Sequence, residues 1–105
     1  MTYLVNFNAE PWSSPTPGVR EKRHTNGNRV LRLVEYSQDM PLHWCEKDHV
    51  GHIVEGVLEI EFADRVVLAE AGVCLFIPSG SAHAHRAAAK TPTVTALFVE
   101  DRDAE

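Results

Sequence analysis

The sequence predicts an all-β domain, an antiparallel barrel or sandwich of roughly seven to ten short strands. Three observations carry that reading. Val57 to Phe62 alternates cleanly, with Leu58, Ile60 and Phe62 on one face and Glu59 and Glu61 on the other, the period-2 pattern of a half-buried strand. Asn26-Gly27 stands between two strand-like runs, the strongest short-range hairpin signal. Gly and Pro then punctuate the chain at close spacing, and no stretch shows the 3.6-residue repeat of an amphipathic helix.

The elements follow in order. Residues 1–18 form an extended N-terminal arm, because Pro11, Ser13, Ser14, Pro15 and Pro17 are poor helix formers. Trp12 within it is too large to leave in water cheaply, so it packs on the barrel or on a partner. Val19 to His24 and Arg29 to Ser37 make the hairpin, and Pro41 to Asp48 leads into a strand from His49 to Val54. Glu55-Gly56 turns the chain into Val57 to Phe62, and Ala63-Asp64 into Arg65 to Leu68. Val73 to Ile77, His83 to Ala87 and Thr93 to Val99 complete the single barrel domain, 19–100. Residues 101–105 are a charged tail, expected to fray.

At 105 residues and 44% apolar, one small core is what the chain can build. A core of that size, together with the Trp-bearing arm, predicts a homodimer. The net charge of −5 and the lack of any basic run exclude nucleic acid as a partner. The opening Met1 to Asn8 has neither the charge nor the apolar length of a signal peptide. No run could span a membrane, and Cys45 and Cys74 do not form a disulfide framework. A cytoplasmic protein is expected.

The candidate chemistry lies in two spaced motifs, His43-x-Cys45-x3-His49-x6-Gly56 and Gly72-x5-Pro78-x-Gly80-x2-His83. Positions 43, 45 and 49 share parity, so in extended chain all three side chains face the same way. His83 must arrive from another strand, and the Gly/Pro punctuation before it marks one. His43, Cys45, His49 and His83 are therefore the candidate metal ligands.

The two motifs resemble those of the cupin superfamily, in which motif one runs G-x5-H-x-H-x3,4-E-x6-G and motif two G-x5-P-x-G-x2-H-x3-N. Motif two is met through His83. Motif one is met in spacing, with Cys45 at the second histidine position and His49 at the glutamate position, while Ser37 and Ala87 replace the flanking glycine and asparagine. The resemblance covers residues 29–99. It implies a small single-domain cupin with a jelly-roll (double-stranded β-helix) barrel. It also implies a divalent metal inside, holding an oxygen-rich small molecule, with dioxygenase, isomerase or lyase chemistry. A non-catalytic binding or sensing module is the alternative. Thiolate and imidazole donors favour Zn, Fe or Ni over Mn or Mg.

Each donor also has a structural reading. Cys45 could be a small packed hydrophobe, which ranks it below the three histidines. His85 shares the parity of His83 and would lie just beyond the metal, as a hydrogen-bond partner or proton donor. Glu46, Asp48 and His52 have the opposite parity and face solvent. His24 has no partner in view, Cys74 reads as a packed strand residue, and Trp44 alternates away from the pocket. Arg32 reads as a surface residue, although an inward one could hold a carboxylate on two N–H groups.

Overall fold

The structure, a computed structural model, describes residues 3–102. The start of the arm and most of the expected 101–105 tail lie outside the described residues. Nine strands form: β1 (Ser13–Thr16), β2 (Val19–Asn26), β3 (Arg29–Ser37), β4 (His49–Glu55), β5 (Val57–Phe62), β6 (Val66–Glu70), β7 (Cys74–Ile77), β8 (His85–Ala89) and β9 (Thr93–Asp101). Among the described residues the only helical pieces are single 3-10 turns at Phe7–Ala9 and Ser81–His83. Among the described residues no helix is long and apolar enough to cross a membrane.

Every paired strand is antiparallel, as the turn spacing predicts. The strands make a six-stranded sheet, in the order β1-β2-β3-β9-β4-β7, and a three-stranded sheet, β6-β5-β8. The inner faces meet in one apolar cluster. Val34, Ile53, Val94, Ala96 and Phe98 come from the larger sheet, and Leu58, Ile60, Ala69 and Ala89 from the smaller. Burying a side chain such as Phe98 or Ile53 stabilises the barrel by about 2–3 kcal/mol.

The β2–β3 hairpin is closed by Gly27 and Asn28, with Asn26 paired to Arg29. Gly27, the first loop residue, has φ +59, as a type II′ turn requires. The glycine that closes motif one has a steric role as well. Gly56 sits at φ +88, and a Cβ there would strike the carbonyl oxygen of Thr93.

Strand β4 begins where the sequence suggests, but the segment before it is not extended strand, and the strand expected from His83 begins later. Residues 41–48 are irregular apart from a single bridge at Cys45, and β4 starts at His49. The Ser81–His83 turn delays β8 to His85.

The arm divides at residue 13. Ser13–Thr16 joins the larger sheet as its edge strand β1. Trp12 packs on β2, with the Arg20 guanidinium 4.3 Å and the Lys22 ammonium 4.6 Å from its ring centre. Tyr3 and Leu4 are exposed.

Candidate metal centre

Strand β4 enters the barrel at His49, whose ring lies 5.3 Å from that of Phe98 on β9 and 4.9 Å from that of His85. His85 opens β8 and is buried at 4% exposure, although the chain carries it in from the opposite sheet. Cys45 is held beside it by two backbone hydrogen bonds, Cys45 N–H to the His85 carbonyl at 2.7 Å and the reverse at 3.0 Å. The ligand atoms of Cys45, His49 and His85 all lie within 4.8 Å of one another.

The protonation pattern suits a cation. His85 Nδ1 lies 3.0 Å from the carbonyl oxygen of His83. A carbonyl only accepts, so Nδ1 carries a proton and Nε2 is the nitrogen left to face a ligand. His85 Nε2 and His49 Nδ1 are both buried with no hydrogen-bond partner among the described residues. Orphaned buried nitrogens of this kind are costly unless something occupies them. Burial first, then His85 and Arg32, pushes the His49 pKa down to about 4. His49 is therefore uncharged at neutral pH, the form in which imidazole binds metal. Two imidazoles and one thiol fit a borderline transition ion such as Zn or Fe, and they suit Mg or Ca poorly.

The structure groups Cys45 and His49 with His85. It does not bring the rings of His43 and His83 into this group. His43 is exposed and lines the same cavity, whose volume is about 880 Å³. His83 ends the 3-10 turn, and its exposed side chain lines a separate cavity of about 430 Å³ with Phe62 and Phe76. Its contribution to the centre is its carbonyl, which orients His85. A hydrogen-bonded backbone group on the far nitrogen of a ligating histidine is the usual way to fix tautomer and ring angle.

Two further expectations are corrected. Trp44 lines the main cavity, with the Arg86 guanidinium 5.0 Å from its ring centre, because 41–48 does not alternate as a strand would. Arg32 points inward with 16% of its side chain exposed. Its Nε donates to Glu21 Oε1 at 2.8 Å, and its Nη1 to Glu100 Oε1 at 3.4 Å. Burial opposes its charge, but Tyr36, Glu100 and Glu21 outweigh that and raise its pKa. The Tyr36 phenol is also raised, first by burial, with Arg32 opposing. Glu21, Arg32, Tyr36 and Glu100 all face the main cavity. Sequence reading could not assemble this wall, since its members come from β2, β3 and β9, and Glu21 and Glu100 each look like ordinary surface charges.

Residues 30–100 match the family model described as Cupin domain. The chain belongs to the cupin family. This cupin is similar in structure to KdgF from Halomonas sp. (TM-score 0.76, 19% identity), over 97% of this chain and 94% of that one. It is also similar to the polyketide cyclase RemF from Streptomyces resistomycificus (TM-score 0.76, 22% identity, 97% and 80% covered). A cupin-2 domain protein from Shewanella frigidimarina gives TM-score 0.67 and 24% identity, with 94% and 95% covered. At these identities the likeness is one of fold. No curated protein matches this cupin in sequence.

Proposed function

We propose that this cupin is a metal-dependent enzyme that acts on an oxygen-rich small molecule inside the barrel, by dioxygenase, isomerase or lyase type chemistry. One observation carries the reading: two orphaned imidazole nitrogens and a thiol converge at the wall of a cavity large enough for a small ligand. Cys45, His49 and His85 would hold the ion, with Zn, Fe or Ni favoured over Mn or Mg. A bound ion would polarise a ligand oxygen. Three protein donors leave a coordination position for that oxygen, whereas a fourth would close a tetrahedral site into a structural one.

His43 is the residue that could close it, because its ring lines the same cavity. If it does, this cupin is a binding or sensing module. The cobalt(II) form separates the two readings. An open site gives a visible spectrum that shifts when azide is added, and a closed one does not respond. No cobalt spectrum at all would sink both.

The expected partners are a small-molecule ligand and a second copy of the chain. Support for a homodimer comes from the exposed Tyr3 and Leu4 of the arm and from Phe76, Val54 and Val99 on the outer face of the larger sheet. Sedimentation as a monomer at micromolar concentration would end it. A cytoplasmic location remains the reading of the sequence.

A further inference from the structure

Tyr36 of β3 lines the main cavity together with Cys45, His49 and His85, and the hydrogen bond on its oxygen decides what its proton can do. Arg32 hydrogen-bonds the phenol. A guanidinium only donates, so the phenol oxygen is the acceptor in that bond and the O–H hydrogen is left over. Among the described residues no carbonyl or carboxylate takes that hydrogen. A buried hydroxyl with an uncommitted donor calls for a partner, and the space it faces is the ligand cavity.

The rest of the wall holds the pair in this arrangement. Glu21 accepts from Arg32 Nε and Glu100 from Nη1, so the guanidinium is anchored from β2 and β9 at once. An O–H whose oxygen accepts from a cation is the stronger donor for it, because hydrogen bonds in a chain polarise one another. The phenol keeps its proton, since burial, ahead of the opposing effect of Arg32, pushes its pKa above the usual value. It lies close enough to the candidate centre for charge on Cys45 to bear on it, as Arg32 bears on His49. The surroundings also admit an anion. The cavity lining carries four cationic side chains, Arg23, Arg32, Lys47 and Arg86, against three carboxylates.

We propose that Tyr36 is a catalytic residue of this site, donating its O–H to a ligand oxygen that carries or gains negative charge, as in an enolate, phenolate or carboxylate. A donor fixed before the ligand arrives stabilises that charge without reorganising. The inference rests on the cavity being the ligand site of the proposed enzyme. It narrows the oxygen-rich ligand to one that presents an anionic oxygen.

Titration of the zinc-loaded full chain with 4-nitrocatechol, followed by its visible band, tests this in wild type and in Tyr36→Phe, which loses only the hydroxyl. The variant is expected to take up zinc as wild type does and to bind the probe at least about tenfold more weakly, the loss expected for a hydrogen bond to a charged oxygen. In the proton NMR spectrum the wild-type complex should show a strongly downfield hydroxyl resonance, the mark of a short charge-assisted bond, that the variant lacks. No binding of the probe, equal affinity in the two proteins, or no such resonance in the wild-type complex would each overturn the proposal while leaving the metal centre intact. The resonance alone decides the matter if the variant does not fold. If wild type takes up no zinc, the metal reading fails by itself and the comparison moves to metal-free protein. There the same loss in the variant upholds Tyr36, and equal or absent binding overturns it.

Discussion

Strand β4 carries a histidine on each of its faces, and each has a cysteine for a neighbour. On the inner face, His49 sits with Cys45 and His85 among buried atoms, two of them without hydrogen-bond partners. On the outer face, His52 stands directly across from Cys74 of β7, with Nδ1 3.5 Å from Sγ, and both side chains are exposed. The residue types match, yet their situations are opposite. The outer pair satisfies itself and has water for the rest, so nothing about it calls for an ion. The inner group has neither, and that unmet demand separates a candidate metal centre from a chance pairing of the same side chains.

The sharpest way to break this contrast is to delete one imidazole from each face. His85→Ala is expected to weaken zinc binding beyond about a hundredfold, more than the loss of an outer-sphere partner costs in known sites. His52→Ala should leave it unchanged, as isothermal titration would show. Equal losses would mean that the ion lies elsewhere.

Acid should separate the faces next. In metal-free protein the unfolded chain, with His49 near its ordinary 6.5, takes up a proton before the folded one, where burial holds it at about 4. Stability therefore falls as pH drops through that window and levels off below it, by about 3 kcal/mol at most. His49→Gln should flatten this slope in urea titrations followed from neutral pH to pH 4.

Exchanging the thiols gives a smaller effect. Cys45→Ser should weaken soft-metal binding roughly tenfold or more and remove thiolate-to-metal charge transfer from the cobalt spectrum, while the fold holds. Cys74→Ser should change neither. Reaction with Ellman's reagent offers a check without mutation, since Cys74 should react first and added zinc should protect Cys45 alone.

The smallest expected change is the most diagnostic for motif two. His83→Ala should keep metal affinity within about threefold, because the backbone carbonyl that orients His85 survives the substitution. A loss as large as that of His85→Ala would restore the His83 side chain to the ligand set.

These contrasts also show how much could be read beforehand. The barrel was legible because its signals are local. Alternation in β5 and the Asn26-Gly27 punctuation each concern a few adjacent residues, and they give strands and turns close to those observed. Parity pointed to the correct side for Cys45 and His49, although the segment holding Cys45 is a bridge rather than a strand. Parity cannot separate His83 from His85, which share it. What separates them is the Ser81–His83 turn, which holds His83 outside the strand and lets His85 open it. Arg32 was misplaced for a different reason. Its inward position is tolerable only because Glu21 and Glu100 meet it there, from strands that are distant in sequence.

The place of β9 in the larger sheet has a consequence for how the molecule is made. It is the latest of the nine strands, yet it lies between β3 and β4, and its register joins Arg29 to Asp101. A ribosome delivering this chain releases the donors on β4 and β8 before the strand that ties β4 to the early hairpin. Until β9 emerges, the larger sheet cannot zip across its middle, and the facing edges of β3 and β4 stay open to wrong pairings. Closure must then bring distant residues together in one step, which places the folding time in the millisecond-to-second range of β-rich domains. Chaperone demand should accordingly be greatest in the interval just before β9 leaves the exit tunnel.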